Sequence, residues 1–377
     1  MKKKNFFLAA MAVLTMATSC SQDEQQSVNK GHAISFNAAL DVTRGNDMTT
    51  KKLDDFWVNA ANEKDLTDVL FRNLQFTKIS KDENRWVSTP PKYWPTNKVV
   101  KFYAYAPEAA KNGFSIDRDN MGKINDFTVK EKVDDQIDLI AGSTSGNETA
   151  NATSGVTNLL LHHALSKITF KVKGKPNGYS CKIERIGLGN VQNSGAYKID
   201  KKTWEIKQTD EVVNYFHKVN TLITKASDEA KELGPDGGLK LLPQTLTPWD
   251  KKKEAIHQKL KQAFIYMYVT ATDSTDNNKV IFKGFAYLPI PNIAWEANKE
   301  YIYTIDLSKG VGYGGGIKPW DPKDPDPDPD KPVPVDPGTA KPDQPVLTTK
   351  HPIIFVDVSV SEWTDKKNQQ SISVSQD

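Results

Sequence analysis

The feature that most constrains the fold is an alternation of apolar and polar residues with a period of two, which recurs along most of the chain. Such alternation is typical of a β-strand with one buried face, because successive side chains point to opposite sides. The segment AISFNAALDVTRGND, residues 33–47, is the first clear example. Its apolar face consists of Ile34, Phe36, Ala38, Leu40 and Val42. The strand ends in a turn sequence that begins with Arg44, so a basic residue follows it directly.

Similar segments follow one another, separated by clusters of Gly, Pro, Asn and Asp. Helical patterns are few and are limited to part of 209–233 and to 250–260. Many short strands joined by turn residues predict an all-β protein built from β-sandwiches with few short helices. The further predicted strands are 53–60, 70–79, 85–89, 99–107, 123–130, 138–143, 165–174, 181–191, 195–200, 203–207, 263–272, 279–290, 300–307, 353–363 and 371–375.

Residues 1–19 have the composition of a secretory signal peptide, with three lysines, an apolar run and then small residues. The apolar run is too short for a membrane-spanning helix. The sequence Ala17-Thr18-Ser19-Cys20 resembles a lipobox, which predicts cleavage before Cys20 and attachment of lipid to that residue. Residues 20–32 are polar and predict a flexible tether. Its acidic residues resemble the export signal of surface-exposed Bacteroidetes lipoproteins, so we expect a protein on the outer face of the outer membrane.

The length of the remaining chain predicts two domains. A polar segment rich in Ser, Thr, Asn and Gly at 143–156 indicates the boundary, which gives domains at 33–155 and 156–377. The second domain includes a spacer of alternating Pro and Asp at 318–348, which predicts an extended polyproline II conformation. It also includes the terminal strands within 353–375. The spacer is either an exposed loop or a linker that lets the last strand act away from its own domain.

Composition and motifs argue against a catalytic or nucleic-acid-binding role. A net charge of +3 on 50 basic and 47 acidic residues gives no global field for nucleic acid. The adjacent His162 and His163 would point to opposite faces of a strand, so they would not converge on one metal ion. Cys181 alternates with apolar residues and is expected to be a buried thiol. We therefore expect no catalytic residues, no metal and no cofactor.

Several motifs in a fixed order resemble those of the fimbrillin family of the Bacteroidales, the lipoprotein-derived subunits of type V pili. They are the lipobox ending in Cys20, ISFNAALDVTRG, KYWPTNKVVKFYAYAP, DLIAGST, HHALSKITFKVK, IGLGNVQNSGAYKI, LLPQTL and IIFVDVSVSEW. The resemblance implies two transthyretin-like Greek-key β-sandwich domains in tandem. It also implies a structural or adhesive subunit of a fimbria that has no enzymatic activity.

The resemblance further implies assembly by donor-strand exchange. A trypsin-like protease would remove the first strand, and the matching basic site here is Arg44, with Lys51 or Lys52 as fallbacks. The emptied groove would accept a terminal strand from another pilus subunit, either a second copy or a related fimbrillin. The corresponding donor strand in this chain would present one apolar face, formed by Ile354, Val356, Val358 and Val360.

Other functions remain open at this point. Within a pilus, the chain could form the shaft, the tip or the anchor. The alternative outside a pilus is a monomeric surface lipoprotein that binds a glycan or a host ligand. That alternative requires exposed aromatic side chains, for which Trp86 and Trp94 are the candidates. Alternating aromatic residues in strands are more often core, so we expect these rings to be buried.

Overall fold

The computed structural model describes residues 28–41, 53–149, 155–174, 178–207, 213–224, 229–234, 238–247, 262–309, 313–314, 356–363 and 372–374. The described chain is almost entirely β-structure, as the alternation predicts. Its helical elements are the four-residue helix α1 (Ala109–Asn112) and short 3₁₀ turns at Val133–Asp135 and Leu307–Lys309. Within these residues, no helix combines the length and the apolar character needed to cross a membrane.

The N-terminal half forms a closed barrel of seven strands in the order β10-β11-β2-β5-β4-β3-β7. Its interior is filled by aromatic and aliphatic side chains of the inward faces. Strands β1 and β6 pair separately beside it. The strands of this half are β1 (Val28–Ala33), β2 (Ser35–Leu40), β3 (Asp55–Asn62), β4 (Asp65–Lys78), β5 (Trp86–Val87), β6 (Tyr93–Pro95), β7 (Val99–Ala106), β8 (Ser115–Ile116), β9 (Lys123–Thr128), β10 (Ile140–Asn147) and β11 (Val156–His163).

The C-terminal half contains two larger sheets whose apolar faces share one core. One sheet has the order β17-β12-β21-β23-β24, with β18 also paired to β12, and the other has the order β16-β13-β19-β20-β22. The strands are β12 (Ser166–Lys173), β13 (Tyr179–Val191), β14 (Ser194–Lys198), β15 (Thr203–Ile206), β16 (Val213–Ile223), β17 (Lys231–Leu233), β18 (Leu239–Leu241), β19 (Phe264–Asp273), β20 (Val280–Pro289), β21 (Lys299–Asp306), β22 (Tyr313–Gly314), β23 (Val356–Glu362) and β24 (Ile372–Val374).

A further four-stranded sheet joins the two halves. Its order is β15-β14-β9-β8, so β14 of the second half pairs with β9 of the first. The register includes Tyr197 opposite Ile124 and Lys198 opposite Lys123. Because strands from both halves contribute to one ladder, the two halves are connected by backbone hydrogen bonds as well as by the chain.

The barrel closes later in the chain than the composition indicates. The polar segment at 143–156 includes the second part of β10 and the first residue of β11, and both strands belong to the barrel. The barrel therefore takes in Val156–His163, which the sequence analysis assigned to the second domain. The physical reason is that β11 returns to pair with β2 and so removes an exposed edge of the sheet.

The prediction of a partial helix at 209–233 is wrong for the part of this segment that the structure describes. The described part of this segment forms β16 and β17. In β16, Val213 and Tyr215 face the core, Lys218, Asn220 and Leu222 are exposed, and the strand pairs along β13. Tertiary pairing thus overrides a local helical preference. The second predicted helix, 250–260, lies outside the described residues.

Candidate functional site

The first strand of the barrel, β2, is held mainly by one neighbour. It runs parallel to β11 in a register from Ser35 opposite Val156 to Leu40 opposite Leu161. On its other side it pairs with β5 at only two positions, Ser35 with Val87 and Phe36 with Trp86. The strand therefore completes the barrel as an inserted element, with most of its ladder on one side.

The inward face of β2 fills the barrel core. Ile34, Phe36 and Ala38 are all at most 1 % exposed, and Leu40 is half-buried. These positions match the face that the alternation predicts, whereas Val42 lies outside the described residues. The inward side chains are the parts of β2 that any replacement strand would have to reproduce.

Phe36 is the centre of an aromatic cluster. Its ring centroid lies 5.8 Å from that of Phe56, 4.9 Å from that of Phe76 and 5.2 Å from that of Phe102, each in an edge-to-face arrangement. We call these three rings the aromatic socket. Edge-to-face pairs contribute about 0.5–1.5 kcal/mol each beyond the burial of their area, so Phe36 is the strongest single anchor of β2.

The outward face of β2 carries polar contacts. The Nδ2 atom of Asn84 donates to Oδ1 of Asn37 at 2.6 Å, and Asn37 in turn donates to Oδ1 of Asn158 at 3.2 Å. Ser35 belongs to this predicted polar face but is fully buried, and its hydroxyl donates to the carbonyl of Gly155 at 3.3 Å. These bonds fix the register of β2 from the side opposite the socket.

The C-terminal end of β2 meets the second half of the molecule at a group that we call the junction: Asp41, His162, His163, Asn298 and Trp363. Nδ1 of His162 lies 2.7 Å from a carboxylate oxygen of Asp41. Nδ2 of Asn298 donates to the carbonyl of Asp41 at 3.3 Å. A cleft of about 550 Å³ opens beside these residues.

The junction also contacts the end of the last described long strand, β23. The backbone N–H of Trp363 donates to the carbonyl of Asn298 at 3.0 Å. The Trp363 ring stacks on His163 with centroids 4.0 Å apart and an interplanar angle of 10°. Nδ1 of His163 lies 2.9 Å from Asp138. The junction therefore connects the end of β2 to the end of β23.

The two histidines contact different carboxylates. Each uses Nδ1 on a different aspartate, as expected for neighbours on a strand whose side chains diverge. Within the described ranges, no group of three His, Cys, Asp or Glu side chains is placed to hold a metal ion. From the sequence, the pair raised only the question of metal binding, and its role in connecting two layers of the fold was not predicted. The only indication of this role in the sequence was that neighbouring side chains on a strand point to opposite faces, so each histidine would contact a different layer.

Stability should depend on the protonation of His162. Burial, with the charge of Lys202, lowers the pKa of His162 below its ordinary value of 6.5, against the opposing effect of Asp41. The unfolded chain therefore binds more protons below about pH 6.5, and stability is lost as the pH falls through that range. We expect a smaller loss of stability in His162→Gln between about pH 7.5 and about pH 5.5 than in the wild type. Urea midpoints at the two pH values measure this, and equal losses would contradict it.

The predicted donor strand lies in its own domain. β23 pairs antiparallel with β21, with Val356 opposite Ile305, Val358 opposite Tyr303 and Val360 opposite Tyr301. Val360 packs against the core of the second half. Ile354 lies outside the described residues. In this conformation the last strand is therefore bound within the chain, and donating it to another subunit would require its release from β21.

The structure does not describe the other predicted site residues. Cys20, Arg44, Lys51, Lys52 and the Pro/Asp-rich spacer at 318–348 all lie outside the described ranges.

The aromatic and thiol predictions can be compared with the structure directly. Trp86 and Trp94 are at most 1 % exposed, so they cannot form the surface cluster that the glycan-binding alternative requires. Cys181 is fully buried, as predicted.

Comparisons with known proteins point to one family. The model of a family described as fimbrillin-like matches residues 43–320, which is more than half of the chain. A solved fimbrial protein from Bacteroides vulgatus is similar over 73 % of this chain and 95 % of its own, with 16 % identity and a TM-score of 0.57. A protein from Bacteroides ovatus proposed to act in cell adhesion is similar over 74 % of this chain and 94 % of its own, with 14 % identity and a TM-score of 0.47. No curated protein sequence matches this chain.

Proposed function

The chain belongs to the fimbrillin-like family, and we propose that it is a structural or adhesive subunit of a type V pilus. It is exported as an outer-membrane lipoprotein through Cys20 and displayed on the cell surface. A trypsin-like protease then cuts after the first strand, and the subunit assembles with other pilus subunits by strand exchange. The role is structural, and no catalytic step is assigned to it.

The observation that carries this proposal is the position of β2. The strand completes the barrel, yet β1 and β2 together are joined to all the later strands only through residues 42–52. That connection contains Arg44, Lys51 and Lys52. After a cut there, the segment of β1 and β2 would be held only by non-covalent contacts, namely the ladders of β1 with β6 and of β2 with β11 and β5, and its side chains, so another strand could compete for the place of β2. Main-chain bonds would then supply affinity, and the pockets for alternate side chains would set the register.

The energetics favour refilling of the groove. Loss of β2 would expose the buried pockets of Ile34, Phe36 and Ala38 and leave the edge of β11 that faces β2 unpaired. Burying apolar surface contributes about 25 cal/mol per Å², and unpaired buried backbone groups are costly. A strand supplied by a neighbouring subunit would offset both.

The lipid anchor and the protease act before assembly in this scheme. Acyl chains on Cys20 would hold the precursor on the outer membrane, because more than one chain gives stable anchoring. Removal of the segment that ends at Arg44 would separate the subunit from its lipid and open the groove in one step. The partners are therefore membrane lipid, the processing protease and other fimbrillins, with a surface ligand only if the chain occupies the pilus tip.

Processing can be tested by removing the basic residues of the connection. We expect the triple variant Arg44→Ala, Lys51→Ala, Lys52→Ala to accumulate as a full-length monomeric lipoprotein, because a trypsin-like protease needs a basic residue at its cut. Immunoblots of unboiled samples and electron microscopy of surface pili measure this. The matched control changes three exposed basic residues elsewhere, Lys64, Lys81 and Lys130, and should assemble normally. Pili of normal length from the triple variant would refute the cleavage model.

The role within the pilus follows from the N-terminus of the assembled protein. N-terminal sequencing of subunits from purified pili should give Gly45 for a shaft or tip subunit. A subunit that still begins at Cys20 would indicate an anchor, because its first strand would be retained and its own groove would stay filled. That outcome would exclude polymerisation of this chain by strand exchange at its own groove. The chain would still be located at the fimbria.

A further inference from the structure

The groove under β2 has a defined shape at three consecutive inward positions. Position 36 is the aromatic socket, where Phe36 contacts three rings edge to face. Position 38 holds Ala38 with no exposed surface, so it is a small pocket enclosed on all sides. Position 34 holds Ile34, which is also buried. The groove therefore matches a strand that alternates a large aliphatic, an aromatic and a small side chain.

The outward face adds a polar requirement between the socket and the small pocket. Asn37 is bracketed by the amides of Asn84 and Asn158, one on each side. Asn84 also donates to the carbonyl of Ala38 at 3.1 Å. An incoming strand with a polar side chain at this position keeps the side-chain hydrogen bonds to Asn84 and Asn158. An apolar side chain loses both and leaves Asn84 only the backbone carbonyl at position 38.

The last strand of this chain does not fit the groove. Its apolar face carries Val356, Val358 and Val360, with no aromatic residue at any register. When Val356 takes position 36, the socket is underfilled and Val358 is too large for the pocket of Ala38. Underfilled and overfilled core sites are both unfavourable. By the period of two in the sequence, Phe355 shares a face with Asp357, so bringing Phe355 to position 36 would place a carboxylate at the buried position 38.

We propose that the groove selects a strand from a different polypeptide, with an aromatic residue two positions before a small one and a polar residue between them. The last strand of a second copy of this chain is therefore a poor occupant, and the assembly is heteromeric at this groove. This inference rests on the proposed strand exchange and specifies its partner. The geometry supports it independently through the aromatic socket, the pocket of Ala38 and the amide bracket at Asn37.

Peptide exchange into a cut chain tests the selectivity. A specific protease recognition sequence replaces residues 45–50 of the mature chain, so that the cut does not depend on Arg44. The cut protein is unfolded in urea and separated from the released fragment. It is then refolded in the presence of a fluorescently labelled peptide. The peptides are 32–42, its Phe36→Val variant, 352–362, and a variant of 352–362 with Val356→Phe and Val358→Ala. Fluorescence anisotropy measures each Kd.

The expected order of affinity follows from the socket. The natural 32–42 peptide should bind best, and Phe36→Val should bind about 30-fold more weakly or worse, because a large core side chain is truncated. The 352–362 peptide should bind more weakly still, and its double variant should recover affinity. If 352–362 binds as well as 32–42, the selectivity is overturned while strand exchange stands. If 32–42 itself does not bind, strand exchange fails and both proposals fail with it.

Discussion

Replacing Phe36 by alanine is expected to lower the free energy of unfolding of the barrel by about 3–5 kcal/mol, the range for truncation of a buried aromatic ring. Phe36 has no exposed surface and contacts the three rings of the aromatic socket. Its removal leaves a cavity among rings that are held by three different strands, β3, β4 and β7, so the site cannot collapse easily. Urea denaturation followed by tryptophan fluorescence measures the change, since Trp86 and Trp94 lie in the same core.

The matched control for this substitution is Leu160→Ala. Leu160 lies on β11, the strand that pairs with β2, but its side chain is 46 % exposed. Its truncation should therefore cost about 0.5 kcal/mol or less, as for surface substitutions in general. Similar losses for the two variants would mean that the aromatic socket does not anchor β2, and would weaken the argument that the groove recognises an aromatic residue.

Replacing Glu300 by alanine is expected to destabilise the second half by about 3–5 kcal/mol, the usual cost of removing one partner of a buried ion pair. Nζ of Lys167 lies 3.1 Å from Oε1 of Glu300, and the two side chains are 7 % and 4 % exposed. The hydroxyl of Thr169 donates to the same carboxylate oxygen at 2.8 Å. Without the carboxylate, the lysine charge stays in a site that water hardly reaches.

Two controls separate burial from charge pairing. The exposed pair Lys132–Asp135 has side chains that are 70 % and 59 % exposed, and Asp135→Ala should cost at most about 1 kcal/mol. The double variant Lys167→Met, Glu300→Leu should be more stable than Glu300→Ala alone, because it removes both charges from the core. Thermal unfolding by circular dichroism measures all three. A double variant no better than the single one would show that the pair is not the source of the cost.

Most strands could be predicted from the sequence because their alternation is a local property. The exceptions have identifiable causes. In β11, Thr157, Leu159 and Leu161 are buried while Asn158 and Leu160 are exposed, but the run of three leucines conceals the alternation. In β16, the helical interpretation fails because the segment pairs along β13, with Val213 and Tyr215 facing the core.

Only the part of the candidate site that β2 itself contributes could be predicted from the sequence. The inward face of β2 follows from its own residues, because the period of two specifies which side chains share a face. The socket around Phe36 does not, because its rings come from three strands that are distant along the chain. The junction is less predictable still, since Asp41 and Asn298 are 257 residues apart.

By itself, the sequence determined the all-β class, the positions of most strands and the resemblance to fimbrillins, since these depend on short motifs and on the period of neighbouring side chains. Only the tertiary structure decided that β2 runs parallel to β11, that the barrel closes after residue 155 and that β23 pairs within its own chain. The physical reason is that strand pairing is non-local. Any edge can offer the same backbone hydrogen bonds, and the choice among edges is made by how side chains from distant segments fill a shared core.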